Sequence, residues 1–271
     1  VDPAQALARV KSLFGEIPRR ELPARPEFRF GPVQARQLTL PTDSPYGLVF
    51  QAWRMPGYAD PDYAAAVILA DALGSKRGDL YGLVPQGKAL YAGFENSMLP
   101  KAGIGFAVGV FEKGGDSKAL TANMQASVAK TRAEGVPAEL VEAAKRQEIA
   151  NLEFQKNSIS GLANAWSDAL AVQGLNSPDD LKAAFAAVTP EQVNRLARRL
   201  LDPAQAITAV LTPESSGAPV ASKGYGGAES FASTPSKPVE LPAWAKQPLS
   251  RPIVPSWNVH PVVSTLPNGL R

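Results

Sequence analysis

The chain has 271 residues, 45% of them hydrophobic and 20% charged, with no cysteine and a single histidine. The missing cysteines exclude a disulfide scaffold, zinc ribbons and fingers, and any thiol nucleophile; one histidine excludes a histidine-based zinc site and makes a Ser-His-Asp triad implausible. A balance of 28 basic against 25 acidic residues, net +3, is too thinly spread for nucleic-acid binding, and no apolar run reaches the ~18 residues of a membrane span.

Asp2 is placed to cap a helix whose first-turn Pro3 loses no useful N–H, with Leu7, Val10, Leu13 and Phe14 on its apolar face. Gly15 and Pro18 stop it, and residues 19–33, with prolines 23, 26 and 32, read as a linker. Gln37–Leu40 predicts a short strand. Gly47–Met55 predicts a second, with Leu48, Phe50 and Ala52 on one face and Val49, Gln51 and Trp53 on the other. Asp60-Pro61 repeats the cap-plus-proline start, and the nearly all-apolar Tyr63–Leu73 predicts a buried helix ended by Gly74. A short amphipathic helix, Asp79–Val84, precedes two alternating strands, Ala89–Ser97 and Gly103–Phe111, joined as a hairpin.

From Ser117 the period turns helical for about 85 residues. One helix spans Ser117–Ala133. A second begins at Pro137 and continues to Asn157 or, after a break near Ser158–Gly161, to Gln173. Ser177-Pro178-Asp179 and Thr189-Pro190-Glu191 each start another, and Ala206–Leu211 closes with a strand. Paired strands separated by helical blocks predict an α+β fold, a mostly antiparallel sheet with helices packed on one face. After Thr212 come ten of the 25 prolines and little periodicity, which reads as an extended linker with Trp244 and Trp257 as anchors and His260 solvated or facing a partner. Asn268-Gly269 is a hairpin signal without its second strand, and the chain opens without methionine, so both ends read as cuts within a longer polypeptide.

Gly74-Ser75-Lys76-Arg77-Gly78 follows a helix and lacks the Gly-Lys-Ser/Thr order of a phosphate loop. It reads as a helix stop and basic turn that can contact an extended peptide. The acid pairs Glu139/Glu142 and Glu148/Glu153 read as solvated faces, Glu142 with Arg146 as a local ion pair, and no carboxylate pair stands out as an acid/base dyad.

Five segments stand out in order: Val1-Asp2-Pro3-Ala4 through Phe14-Gly15-Glu16-Ile17-Pro18, Ala52-Trp53-Arg54-Met55-Pro56-Gly57, Leu69-Ala70-Asp71-Ala72-Leu73-Gly74, Gly78-Asp79-Leu80-Tyr81, and Glu134-Gly135-Val136-Pro137 to Lys145. Together they resemble the carboxy-terminal, non-catalytic half-domain of the M16 zinc peptidases, the pitrilysin, insulinase and mitochondrial processing peptidase family. The resemblance covers residues 1–212 as one domain of the LuxS/MPP-like metallohydrolase type. Residues 213–271 would then be an inter-repeat linker ending in Leu266-Pro267-Asn268-Gly269-Leu270-Arg271, similar to the opening strand of a following repeat in tandem bacterial members.

The family's inverted His-x-x-Glu-His motif is absent, so the resemblance implies no catalytic residue, no metal and no cofactor in this chain, with zinc in the catalytic half of the parent or of a partner chain. It implies as partners that zinc-bearing half and an extended peptide, with no nucleic acid and no membrane span. A periplasmic location is implied by the bacterial relatives alone. Some members place an arginine and a tyrosine for substrate carbonyls in the strand after the Ser-x-Leu-Tyr run. Here that place reads Gly87-Lys88-Ala89-Leu90-Tyr91, so the tyrosine matches while Lys88, a poorer bidentate donor, is the nearest cation. The expected peptide contacts are Gly74, Ser75, Arg77, Lys88 and Tyr91. The alternative expectation is a purely structural subunit, like the family's respiratory core proteins, that binds no peptide.

Overall fold

The structure, a computed structural model, describes residues 2–18, 21 and 29–214. The Arg19-Arg20 pair, prolines 23 and 26, and the whole tail with Trp244, Trp257, His260 and the terminal Asn-Gly lie outside the described residues.

Five strands form one sheet in the order β1-β5-β2-β4-β3: β1 Arg36–Thr42, β2 Tyr46–Pro56, β3 Tyr91–Met98, β4 Ala102–Glu112 and β5 Ile207–Pro213. All neighbours run antiparallel except β1 and β5, which pair in parallel with Leu38 beside Ala209 and Leu40 beside Leu211. The fold is thus the expected α+β arrangement with a mostly antiparallel sheet. Its strands run a residue or two past their expected C-terminal ends, while β3 starts two residues and β5 one residue later than expected, and the β3–β4 connection is tighter than expected, with Leu99 N–H donating to Ala102 O at 3.0 Å.

The pleat sorts β2 into two faces. Val49, Trp53 and Met55 are buried against the helices, whereas Leu48, Phe50 and Ala52 on the opposite face are only half-buried. Trp53 stacks on Phe94 of β3, with ring centroids 6.1 Å apart, and its indole N–H donates to Asp202 O at 3.1 Å.

The helices are α1 Pro3–Phe14, α2 Tyr63–Gly74, α3 Asp79–Gly82, α4 Ser117–Glu134, α5 Ala138–Gln155, α6 Ile159–Ser167, α7 Pro178–Ala187 and α8 Pro190–Leu200. Helix α2 is the centre of the helical layer. Eight of its residues are buried, and it contacts β3, α5, α7 and α8. Its start corrects the expected cap: Asp60 does not cap the helix but accepts Asp62 N–H at 2.8 Å in the preceding turn.

The expected break after α5 is present, with Ser158 capping α6 by accepting Gly161 N–H. Residues Asp168–Gln173 then continue as a π-helix, closed by Gly174 at φ +70°, a conformation glycine adopts freely. Capping boxes start α7 at Ser177 and α8 at Thr189. In α5, Glu142 pairs with Lys145 at 3.0 Å rather than with Arg146 as its spacing suggested. The α4–α5 turn is held by Asn194 of α8, whose side-chain oxygen accepts Val136 N–H at 2.7 Å.

Candidate functional site

The five expected peptide contacts fall in separate places. Gly74 ends α2 against β3, where an added Cβ would stand 2.6 Å from Phe94 O, so bare backbone is required there. Ser75 turns the chain, its hydroxyl accepting Arg77 N–H at 3.2 Å. Arg77 reaches across the helical layer to Glu139 at the start of α5, 2.9 Å away, with both side chains largely exposed.

Lys88 sits in the turn before β3, its N–H donating to Leu83 O, beside a groove of about 570 Å³ that Phe111, Glu112 and Asp116 also line. Tyr91 opens β3 on the sheet face away from the helices. Its ring covers Gly93, and its hydroxyl lies 3.4 Å from the Glu95 carboxylate. Burial and then the Glu95 charge raise the Tyr91 pKa, so the phenol is a neutral donor at neutral pH. Arg77 is therefore on the helix side and Tyr91 on the open side of the sheet, and the structure does not join the five into one cluster.

A different group does converge. Asp71, the one acid in the apolar run of α2, meets Glu148 of α5 at a cavity of about 310 Å³ that Tyr63, Asn96, Asp168 and Gln173 help to line. Asp71 Oδ2 is buried with no hydrogen-bond partner. Burial first, then the Glu148 charge and hydrogen bonding to Glu148, raise the Asp71 pKa to about 7. Those causes agree with the orphaned oxygen, because a proton on it turns an unmatched acceptor into a donor.

Tyr63 is pushed up to about 12, mainly by burial and then by Tyr58, whose ring meets it edge-on at 5.2 Å. The reading of Glu148 as a solvated face is thereby corrected: α5 turns it, half-buried, into the cavity it shares with Asp71, where it also accepts from the Asn151 side-chain amide at 3.1 Å. A carboxyl with a pKa near 7 suits proton transfer, but no nucleophile and no histidine is among the residues lining this cavity. What this geometry supplies is a titration within the domain. The signal was in the sequence, since a lone acid in an otherwise apolar helix has to find a partner or hold a proton.

Among the described residues no group of three or more His, Cys, Asp or Glu side chains is placed to hold a metal. The donor set does not fit zinc: the chain has one histidine and no cysteine, and its converging carboxyls include one that holds its proton up to about pH 7. No step through a metal follows for this chain. Nor is any helix among the described residues long and apolar enough to cross a membrane.

Residues 1–148 match the sequence profile of the M16 peptidase inactive domain, and the chain belongs to that family. None of the curated proteins matches it by sequence.

The fold is shared with a protease from Helicobacter pylori at 20% identity and a TM-score of 0.69, over 79% of this chain and 53% of that one. It is shared with the periplasmic protease PqqL from Escherichia coli at 20% identity and a TM-score of 0.60, over 79% and 24%. The inactive peptidase domain of a Bordetella parapertussis protein assigned as a zinc protease matches at 18% identity and a TM-score of 0.58, over 65% and 98%. The chain thus spans about half the length of the Helicobacter protein and about a quarter of the Escherichia coli one.

Proposed function

We propose that this domain is the non-catalytic half of a zinc metallopeptidase, packing on a half that carries His-x-x-Glu-His and closing with it a chamber for extended peptide. The observation that carries the reading is the match to an inactive peptidase domain in a chain whose own residues cannot assemble a zinc site. Zinc, the nucleophilic water and the general base then belong to the other half. Tyr91, a neutral phenol on the open sheet face, and Lys88 at the head of the same strand are the groups suited to donate to peptide carbonyls. Residues 1–212 form the supporting domain and 213–271 the connection toward a following repeat. The periplasm is the location this reading favours, in line with the protease from Escherichia coli.

The test is peptide turnover by the assembled protein before and after chelation, with Lys88 and Tyr91 replaced together by alanine. Zinc-dependent turnover with a raised KM and unchanged kcat supports the reading. Unchanged kinetics would favour the second reading, an assembly subunit without peptide contact. One observation speaks for that second reading: Arg77 and Tyr91 stand on opposite sides of the sheet, and Arg77 is already paired with Glu139.

A further inference from the structure

The cavity at Asp71 has unequal walls. On one side stand α2, α5 and α7 of the packed helical layer, with Asn96 of β3 behind them. The other side is residues 159–173, which are α6 and the π-helix that continues it.

That second wall is thinly attached. Ala165 is the one buried residue of α6 and Ala169 the one buried residue of the π-helix, and both line the cavity. The larger apolar side chains of the segment contribute little to its anchoring: Ile159 is 92% exposed, Leu170 53%, and Leu162, Trp166 and Val172 nearly half. Each end is a break in the helix. Ser158, extended at φ −128° and ψ 150°, separates the segment from α5, and Gly174 at φ +70° separates it from the turn into α7. A segment anchored mainly by two alanines opens at lower cost than the helices behind it.

The charges around Asp71 are of one sign. Tyr63, Glu148 and Asp168 are the other titratable groups lining the cavity, and no lysine, arginine or histidine lines it. The cations on the elements packed against α2 are engaged elsewhere. Arg195 and Arg199 of α8 hold Asp62 at the start of α2, at 3.1 and 2.8 Å. Lys145 of α5 pairs with Glu142, Lys156 beyond its end with Glu153 and Asp179, and Lys182 of α7 with Glu153. Asp79 of α3 is paired with Lys130, and β2 and β3 turn only uncharged side chains toward the helices. Ionisation of Asp71 therefore adds a negative charge beside Glu148 and Asp168 with no counter-charge, and leaves Oδ2 without a donor. Displacing the weakest wall admits the water that this charge needs.

We propose that residues 159–173 form a pH-operated lid, closed over the cavity while Asp71 is protonated and released when it ionises. The closed state binds the proton with a pKa of about 7, whereas a hydrated Asp71 binds it near the ordinary 3.8. Closure is thus fully supported below about pH 4, weakens by up to about tenfold per pH unit from there to 7, and is level above. None of the proposed peptide contacts lines this cavity, so the device is separate from them.

The test is amide hydrogen exchange of the 271-residue chain between about pH 5 and pH 8, corrected for the intrinsic rate at each pH. Amides of residues 159–173 should exchange faster than those of β4, by opening without global unfolding. Their protection should fall at least about tenfold across that range. In Asp71→Asn the fall should disappear, and in Glu148→Gln, which keeps Asp71 but removes its charged neighbour, it should shrink. Protection of residues 159–173 that stays level with pH would overturn the proposal, as would exchange no faster than in β4. A fall that persists in Asp71→Asn would overturn it too, because another group would then drive the opening. The pH series on the parent sequence decides the question even if neither variant folds.

Discussion

The two faces of the sheet differ less in composition than in what lies over them. On β2 the helix-covered face carries Gln51 beside Val49, Trp53 and Met55, and the open face carries Leu48, Phe50 and Ala52. The covered side even holds a buried amide oxygen, Gln51 Oε1, with no partner. Burial is therefore decided by the helices that pack on the sheet, α2, α3, α4 and α8, not by the strand's own apolar ranking.

This comparison can be tested by cutting into each face. Phe185→Ala in α7, where the ring is 2% exposed, should cost about 3–5 kcal/mol in urea unfolding of the 271-residue chain, since the lining helices cannot collapse fully onto the hole. Leu40→Ser on the open face should change stability by no more than about 0.5 kcal/mol. A loss at Leu40 comparable with that at Phe185 would mean that the isolated chain already covers its second face.

The next effect belongs to Asp71. Its folded pKa, about 7, lies above the ordinary 3.8, so the folded state holds a proton that the unfolded state releases. Stability from this group is complete below about pH 4, falls as pH rises toward 7 and is level above that, for a total of a few kcal/mol. Asp71→Asn removes the titration. The stability of the variant relative to the parent sequence should therefore rise between pH 4 and 7 and then stay constant, read as the shift in urea midpoint at each pH. A pH-independent difference would show that Asp71 is charged in the fold.

Smaller effects sharpen the account of the helical layer. Asn194→Ala removes the acceptor for the N–H of the buried Val136 and leaves that donor unmatched, a loss of about 1–3 kcal/mol by thermal or urea unfolding. Thr189→Ala opens the capping box of α8 and should cost about 1 kcal/mol. Arg77→Ala breaks only an exposed pair with Glu139 and should cost less than about 1 kcal/mol, while any change it makes in KM in the turnover test of the proposed function would report peptide contact instead.

Much of the fold was legible where chemistry and period coincide locally. The apolar run of α2, the Ser-Pro-Asp and Thr-Pro-Glu starts of α7 and α8, and the alternation in β2 each follow from a few neighbouring residues. What could not be read depends on partners distant in sequence. Nothing local states that β1 pairs in parallel with β5, that Asn194 serves the α4–α5 turn, or that Glu148 faces Asp71 rather than water. The candidate contacts fared similarly: Gly74 and Ser75 are where a helix stop puts them, but the strand pleat and the salt bridge to Glu139 send Tyr91 and Arg77 to opposite sides.

The parallel β1–β5 ladder carries a mechanical consequence. The chain enters β1 at Arg36 and leaves β5 at Pro213, and the two strands run the same way through seven paired positions, so these points lie at opposite ends of one ladder. Tension between the flanking segments pulls the strands past each other along their length. It loads the backbone hydrogen bonds together instead of peeling them one by one. A domain strung between neighbours in this manner resists being drawn apart like a lap joint in shear, and its lifetime under load is set by the rupture of that single ladder.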